Sequence, residues 1–413
     1  MLDWLALALL LVAIGALAGA PGLILVAVVS AVYGALTSVW SRYGLREVEY
    51  RRTLATERAV VGDEVALDVT IWNRKPLPLP WIAADDPVTD GIAVLERPVL
   101  ERSGELGTRA LHNVWSLAWY ERVVRHFHLL ADRRGLFELG PVRLQVRDLL
   151  GRAATVGSGE GVDRLIVAPR VVGVRRGADE RAPLGERRAR RSLFSDPALF
   201  GGVRPFQPGD PMKRVHWRAT ARTGITVSRR YEPARGREVV IVLDVQTIAD
   251  QPHWQMTYDD DAFESLCVAA ASLARELLDG GASVGLAAAS FTGTTQRIAF
   301  LPPQAAYGQL TRVATLLARC APISSGPLEP LLTWLMRRVA PGCTLLVLSV
   351  RDPAPFRPVL ARLARSGYET QWMGLRTGGE PAPAGAASRS GLRMIPALLD
   401  GGWRGADALV VGG

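Results

Sequence analysis

From Trp4 through Ser41 the chain carries no charged residue, and few architectures accept such a stretch. As a single helix it is about 57 Å long at 1.5 Å per residue, against a bilayer hydrocarbon core of about 30 Å. Two spans fit better than one, with Pro21 and Gly22 where the chain should reverse. The halves, Trp4 to Ala20 and Leu23 to Trp40, are each close to the minimum spanning length, so residues 1–41 are predicted to form a transmembrane helical hairpin. Trp4, Tyr33 and Trp40 are candidate interface anchors. A cleaved signal peptide ending in Ala18, Gly19 and Ala20 is the competing reading. Against it, the chain opens Met1-Leu2-Asp3 without a positive n-region, and a second apolar run follows at once. Arg42, Arg46, Arg51, Arg52 and Arg58 come next, and the positive-inside rule keeps the following chain in the cytoplasm. The expectation is a multi-pass protein of the cell membrane, in contact with the lipid bilayer, with its soluble domains cytoplasmic.

Composition narrows what those soluble parts are. The 413 residues are 48% hydrophobic and 22% charged, which excludes a disordered chain and implies several folded units. Lysine plus arginine exceed aspartate plus glutamate by 49 to 40, a net charge of +9, yet mean hydropathy is +0.13. The apolar N-terminus reconciles the two. Arginine is scattered singly rather than in long tracts, so no nucleic-acid partner is expected. Cys267, Cys320 and Cys343 are an odd number and lie in apolar runs, as in a reducing compartment.

Residues 47–170 alternate apolar and polar positions in short runs, such as Val65 to Trp72 and Val123 to Leu130. Gly62-Asp63, Asn73 and the Pro76 to Pro80 segment break them. This period-two pattern predicts an all-β, sandwich-like domain. His126 and His128 share one face of a strand and with His112 form a conceivable metal cluster. No carboxylate or cysteine stands at ligand spacing, so structural roles are expected. Residues 171–195, including RRGADERAPLGERRARRS from Arg175 to Ser192, lack apolar periodicity and read as a basic linker, or alternatively as a segment lying on anionic lipid.

The most distinctive stretch is Phe200 to Arg222, FGGVRPFQPGDPMKRVHWRATAR. Pro208-Gly209 makes a turn, Asp210 suits an N-cap, Pro211 the first helical position, and Gly224 a helix stop. In the resulting helix Arg214, Trp217 and Ala221 share a face, with Arg218 and Arg222 on the next. Residues 225–232 then alternate as an edge strand or β-arm, so 196–236 form one signature segment. Arg204, Asp210 and Arg214 are either a structural ion-pair cluster or part of a docking surface.

This segment resembles the domain-of-unknown-function 58 family of bacterial membrane-associated proteins, whose pattern is close to F-x-G-x-R-x-Y-x-P-G-D-x-x-R-x-I-x-W-x-x-S-A-R. Phe200, Arg204, Pro208, Gly209, Asp210, Arg214, Trp217, Ala221 and Arg222 match; Phe206 replaces the tyrosine. Asn73 with Leu77 to Trp81, and Arg134 to Pro141, resemble further family elements, while Asp148 to Gly151 is a degraded one. The resemblance implies a MoxR-type AAA+ ATPase as the usual associate, which supplies the nucleotide hydrolysis.

Residues 237–413 alternate strands with helices. Val239 to Asp244 is a buried-strand run; a helix from Asp259 to Leu278 and strands near 284–289, 345–350, 369–375 and 408–411 follow. That alternation predicts an α/β, doubly wound sheet with ligands at the carboxyl ends of its strands. The part resembles a von Willebrand factor A-like domain, whose metal site begins D-x-S-x-S. Here Gln246 and Ile248 replace both serines after Asp244, leaving Asp244 as the remnant of a degenerate site where Mg²⁺ would need hard oxygen ligands. Asp352, Thr292, Thr294 and Thr295 are the other oxygen donors nearby.

No nucleophile elbow, phosphate-binding loop or zinc-protease helix is present, so no enzyme and no cofactor are expected. The reading is a membrane-anchored, non-catalytic scaffold or adaptor that uses Arg204, Gly209, Asp210, Arg214, Trp217 and Arg222 to hold its motif or a partner. The alternative is a metal-dependent adhesion or ligand-binding protein using Asp244.

Overall fold

The computed structural model describes residues 2–17, 19–95, 100–102, 108–147, 154–159, 161–176, 200–206, 212, 215–231, 237–248, 257–293, 296–377 and 393–412. They divide into two compact units, 1–168 and 169–413.

The first unit opens with two helices, α1 (Leu2–Leu17) and α2 (Pro21–Tyr43), which pack against each other. The reversal lies just before the predicted Pro21-Gly22. Gly19 takes the left-handed conformation (φ 60°) and Pro21 is already in the first turn of α2, where a missing N–H costs nothing. Among the described residues, only α2 is long and apolar enough to cross a membrane. Its 23 residues are about 35 Å long, whereas the 16 of α1 reach about 24 Å.

The β part contains β1 (Val48–Leu54), β2 (Arg58–Val60), β3 (Glu64–Asn73), β4 (Leu79–Thr89), β5 (Ile92–Val94), β6 (Leu100–Arg102), β7 (Thr108–Leu117), β8 (Arg122–Ala131), β9 (Gly135–Leu139), β10 (Arg143–Arg147), β11 (Ala154–Ser158) and β12 (Asp163–Ala168). One sheet runs β1-β3-β8-β5. The other runs β11-β10-β4-β9-β12-β2, with β7 also on β4 and β6 on β7. All pairs are antiparallel except β12 with β2. The alternation on β3 puts Val65, Leu67, Val69 and Ile71 inside, where they share one core with Ile82, Leu111, Leu139, Leu144 and Leu165 of the other sheet.

Arg52 lies within this layer rather than on the surface. Its side chain is 5% exposed and pairs with Asp86 at 2.5 Å and Asp163 at 2.8 Å. Tyr50 Oη donates to the same Asp86 at 3.0 Å. Burial pushes the Asp86 carboxyl above its ordinary range against the pull of Arg52, and the Tyr50 phenol is pushed up as well, by burial and then by Asp86. Arg52 therefore balances the buried Asp86 and the half-exposed Asp163, and is not one of the surface charges that flank the apolar helices. The histidines pair singly across strands: His112 with Asp85 at 2.5 Å and His126 with Asp68 at 2.6 Å. The carboxylates absent at sequence spacing come from the neighbouring strand in register.

The second unit contains β13 (Gly173–Arg176), β14 (Phe200–Pro205), α3 (Trp217–Thr223), β15 (Val227–Tyr231), β16 (Glu238–Leu243), α4 (Asp260–Asp279), β17 (Ser283–Ala288), β18 (Ala299–Gln304), α5 (Gln309–Arg319), α6 (Leu328–Leu335), β19 (Thr344–Ser349), α7 (Arg357–Arg365), β20 (Glu369–Thr377), β21 (Arg393–Leu399), α8 (Gly402–Gly405) and β22 (Ala408–Val411). Eight strands form one sheet in the order β13-β22-β21-β20-β19-β16-β17-β18. The run β21-β20-β19-β16-β17 is parallel; β18 and β22 are antiparallel to their neighbours within it. Val240, Val242, Leu345 and Val347 face α6 and α7, and α4 packs on the same strands, its Phe263, Leu266 and Leu273 fully buried.

The first residues of the predicted basic linker are structured. Residues 173–176 pair in parallel with β22 as an edge strand, and Val172 N–H donates to Ser272 Oγ of α4 at 3.0 Å. Residues 177–195 of that segment lie outside the described residues.

Candidate functional site

Within the signature segment β14 and β15 pair as an antiparallel two-stranded ribbon, with Arg204 opposite Ser228. The predicted β-arm is therefore half of a hairpin-like pair. α3 sits on it: His216 N–H donates to Val227 O at 2.8 Å, Val227 N–H to Thr220 Oγ1 at 3.2 Å, and Val215 and Val227 are buried. Gly224 ends the helix in the left-handed conformation as expected (φ 68°).

The helix start differs from expectation. His216 is the N-cap, its Nδ1 accepting from Ala219 N–H at 3.1 Å, so the cap of α3 stands six residues after Asp210 and the helix begins at Trp217. An imidazole fills the role that sequence preference gives to aspartate. Gly209, Asp210, Pro211 and Arg214 lie outside the described residues. Trp217 is 62% exposed, and Arg218 and Arg222 are exposed beside it. Trp217 is thus presented to solvent rather than used as packing.

The second group stands at the carboxyl ends of β16 and β19. From β16 the chain goes through α4 to β17 on one side, then returns through α5 and α6 to β19 on the other, so connections leave these two adjacent strands in opposite directions. In open α/β sheets this crevice is where ligands bind. Asp244 follows β16 directly, and its N–H donates to Leu348 O at 2.9 Å. It is 3% exposed. Ser349 Oγ donates to its Oδ2 at 2.7 Å, and Arg351 holds it in a fork, Nε to Oδ2 at 2.9 Å and Nη2 to Oδ1 at 2.8 Å.

Arg351 is itself fixed. Its backbone N–H donates to Ser349 Oγ at 2.9 Å, and its guanidinium lies over the Phe356 ring at 4.8 Å. Phe356 stacks on Trp372 at 5.4 Å. A planar cation thus stands against the carboxylate in the bidentate geometry arginine favours. Two nearby oxygen donors are engaged locally. Asp352 Oδ1 accepts from Ala354 N–H at 2.7 Å and Thr247 Oγ1 from Asp259 N–H at 2.8 Å. Thr292 is buried, and Thr294 and Thr295 lie outside the described residues. Among the described residues no group of three or more metal-ligating side chains occurs. Sequence reasoning missed Arg351; its signal is a basic residue two positions after the wholly buried strand Thr344–Ser349.

Comparison with known proteins places part of this unit. A family model described as "Protein of unknown function DUF58" matches residues 202–348, which run from the ribbon through β19. The "Uncharacterized protein YeaD" of Bacillus subtilis is a distant relative, 24% identical over 255 residues, 59% of this chain and 56% of that protein. The chain thus matches little more than half the length of that relative. Among solved structures, the CARDB domain of a Pyrococcus furiosus protein is 13% identical, covers 29% of this chain and 86% of that one, and has a TM-score of 0.20. Spo0M, a sporulation control protein of Bacillus subtilis, is 12% identical over 30% of this chain and 50% of that one, with a TM-score of 0.19. Overlaps that low carry no argument about fold or function.

Proposed function

We propose that the chain is a non-catalytic scaffold or adaptor, anchored in the cell membrane by the α1–α2 hairpin, that presents a protein-binding platform in the cytoplasm. In this reading the second unit is a von Willebrand factor A-like domain in which Arg351 stands where a metal ion would, so binding is independent of Mg²⁺. The partner is a MoxR-type AAA+ ATPase, which supplies the hydrolysis. Trp217 carries the reading: a tryptophan 62% exposed, with arginines beside it, on a helix fastened to a ribbon inside the matched segment. Tryptophan and arginine are the residues most often found as interface anchors.

Affinity capture of the full chain after native detergent extraction tests it. The expected result is co-purification of an AAA+ protein, lost in Trp217→Ala and reduced in Arg222→Ala and Arg214→Ala, with all variants folded as judged by the protection of their buried thiols. Capture of no AAA+ protein, or undiminished capture by Trp217→Ala, would overturn the proposal.

A further inference from the structure

The junction between α2 and the β part of the first unit is a fixed joint. Trp40, one turn before the end of α2, is 8% exposed and belongs to the β-sheet core. Its Nε1–H donates to Pro78 O at 3.0 Å, and Thr155 Oγ1 donates to Ser41 O at 3.1 Å. Lys75, itself buried, donates from Nζ to Gly44 O at 2.9 Å and to Arg46 O at 2.6 Å, closing the carbonyl end of the helix.

All these contacts come from one end of the sheets. Strand register brings Val48 opposite Asn73, Trp72 opposite Arg122 and Trp81 opposite Arg147 there. The β7–β8 turn lies at the same end and carries Trp119 and Tyr120, 66% and 61% exposed. Tyr120 N–H donates to Lys75 O at 3.3 Å, so this turn adjoins the helix exit. The turn is built to present the pair: Tyr120 takes a left-handed backbone (φ 57°), and Glu121 accepts from Ala118 N–H at 2.6 Å. Around the exit the other aromatic rings each carry a guanidinium, Arg46 over Tyr43 at 5.0 Å, Arg74 over Trp72 at 4.2 Å and Arg147 over Trp81 at 4.3 Å. The glutamates at this end are Glu47, Glu49, which pairs with Arg74 at 3.3 Å, and Glu121 in the turn.

We infer that this end of the β domain is a bilayer-docking surface, with Trp119 and Tyr120 seated at headgroup depth and the surrounding arginines on lipid phosphates. The inference rests on the reading of α2 as a membrane span. Residues 21–39 alone are about 28 Å of helix, nearly the whole hydrocarbon core of about 30 Å. Trp40, already inside the protein core, therefore stands at the interface, and no linker separates the sheets from the lipid. Tryptophan and tyrosine favour that depth, and basic residues are drawn to an anionic leaflet. A soluble protein partner is the other class that exposed aromatics attract, but the helix exit puts lipid here first.

The test uses the full chain in vesicles of phosphatidylcholine and phosphatidylglycerol, with a fluorophore on Ala118→Cys beside the intact aromatic pair, on Ala55→Cys at the opposite end of β1, or on Val32→Cys within α2. Nitroxide lipids labelled near the headgroup should quench the Ala118→Cys label several-fold more than the Ala55→Cys label, while aqueous iodide shows the reverse order. Trp119→Ser with Tyr120→Ser should remove most of the lipid quenching at 118. If the Val32→Cys label is quenched by deep nitroxides but the 118 label behaves like the 55 label, the docking inference fails and the anchor stands. Without deep quenching at Val32→Cys, the anchor reading fails and docking falls with it. Shielding of the 118 label that appears only after a soluble extract is added assigns the surface to a protein and overturns the inference.

Discussion

Arg351→Met tests the site at the sheet switch point most directly. Asp244 is 3% exposed and accepts from Ser349 and from two nitrogens of Arg351. Methionine keeps most of the apolar stem but removes the guanidinium from Phe356 together with both charge-assisted bonds, leaving a buried carboxylate with one hydroxyl donor. Breaking a buried pair by removing one partner costs about 3–5 kcal/mol. The Arg351 side chain is 13% exposed, so some water reaches the vacancy, which favours the lower part of that range. Replacing both partners, Asp244→Leu with Arg351→Met, should recover most of the loss, because no unpaired charge remains. The assay must report on this unit alone, and the cysteines allow it: Cys267, Cys320 and Cys343 are buried and all belong to the second unit. Burial pushes the Cys343 thiol up to about 12, so labelling reports opening. Arg351→Met should lower the urea midpoint of thiol exposure by roughly 1–2 M. A shift within error of wild type, or a double variant as unstable as the single one, would refute the assignment of Arg351 as the counter-ion of Asp244.

Millimolar Mg²⁺ should leave the wild-type thiol-exposure midpoint unchanged; a rise would revive Asp244 as a metal ligand. Arg52→Met should destabilise the first unit by about 3–5 kcal/mol, since it strands Asp86, whereas Arg51→Ala, whose side chain is 72% exposed and 3.9 Å from Glu49, should change stability by less than about 1 kcal/mol; denaturant titration of both variants checks the contrast. Burial brings the Lys75 ammonium down to about 8 from 10.5. Between those values the unfolded chain binds more protons than the folded one, so the first unit gains stability as pH rises above 8. Its thermal midpoint should climb over that interval in wild type and less steeply in Lys75→Met.

What the sequence revealed depended on how local the cause was. The strands from Val65 to Trp72 and from Val123 to Leu130 are legible because alternation over eight residues is a property of one segment, and in the structure they lie within β3 and β8. The helix at Asp259 is legible for the same reason, its cap bond to Ala262 N–H spanning three residues. Three expectations missed because the cause was elsewhere in the chain. Arg52 reads as a surface charge until β1 is placed beside Asp86 and Asp163. Residues 173–176 read as linker because their partner, β22, lies more than two hundred positions away. Cap preference points to Asp210 for the start of the helix, while the observed cap at His216 follows the bonds that tie α3 to β15.

Arg351 is the strongest case of non-local cause. Asp244 and Ser349 become neighbours because Leu243 pairs with Leu348 in the β16–β19 register, and only then does a residue 107 positions away reach both oxygens of one carboxylate. A reading of oxygen ligands along the chain sees a metal site with serines missing; the register shows a carboxylate that already has its cation. The difference is physical as well as formal. A bound ion comes and goes with its concentration, while a guanidinium tethered to β19 and seated on Phe356 is present whenever the unit is folded. If the unit is the proposed platform, that end of the sheet is then constitutive. In the proposed scaffold, control over binding then falls to groups away from the switch point, of which the exposed Trp217 on its ribbon is the first to mutate.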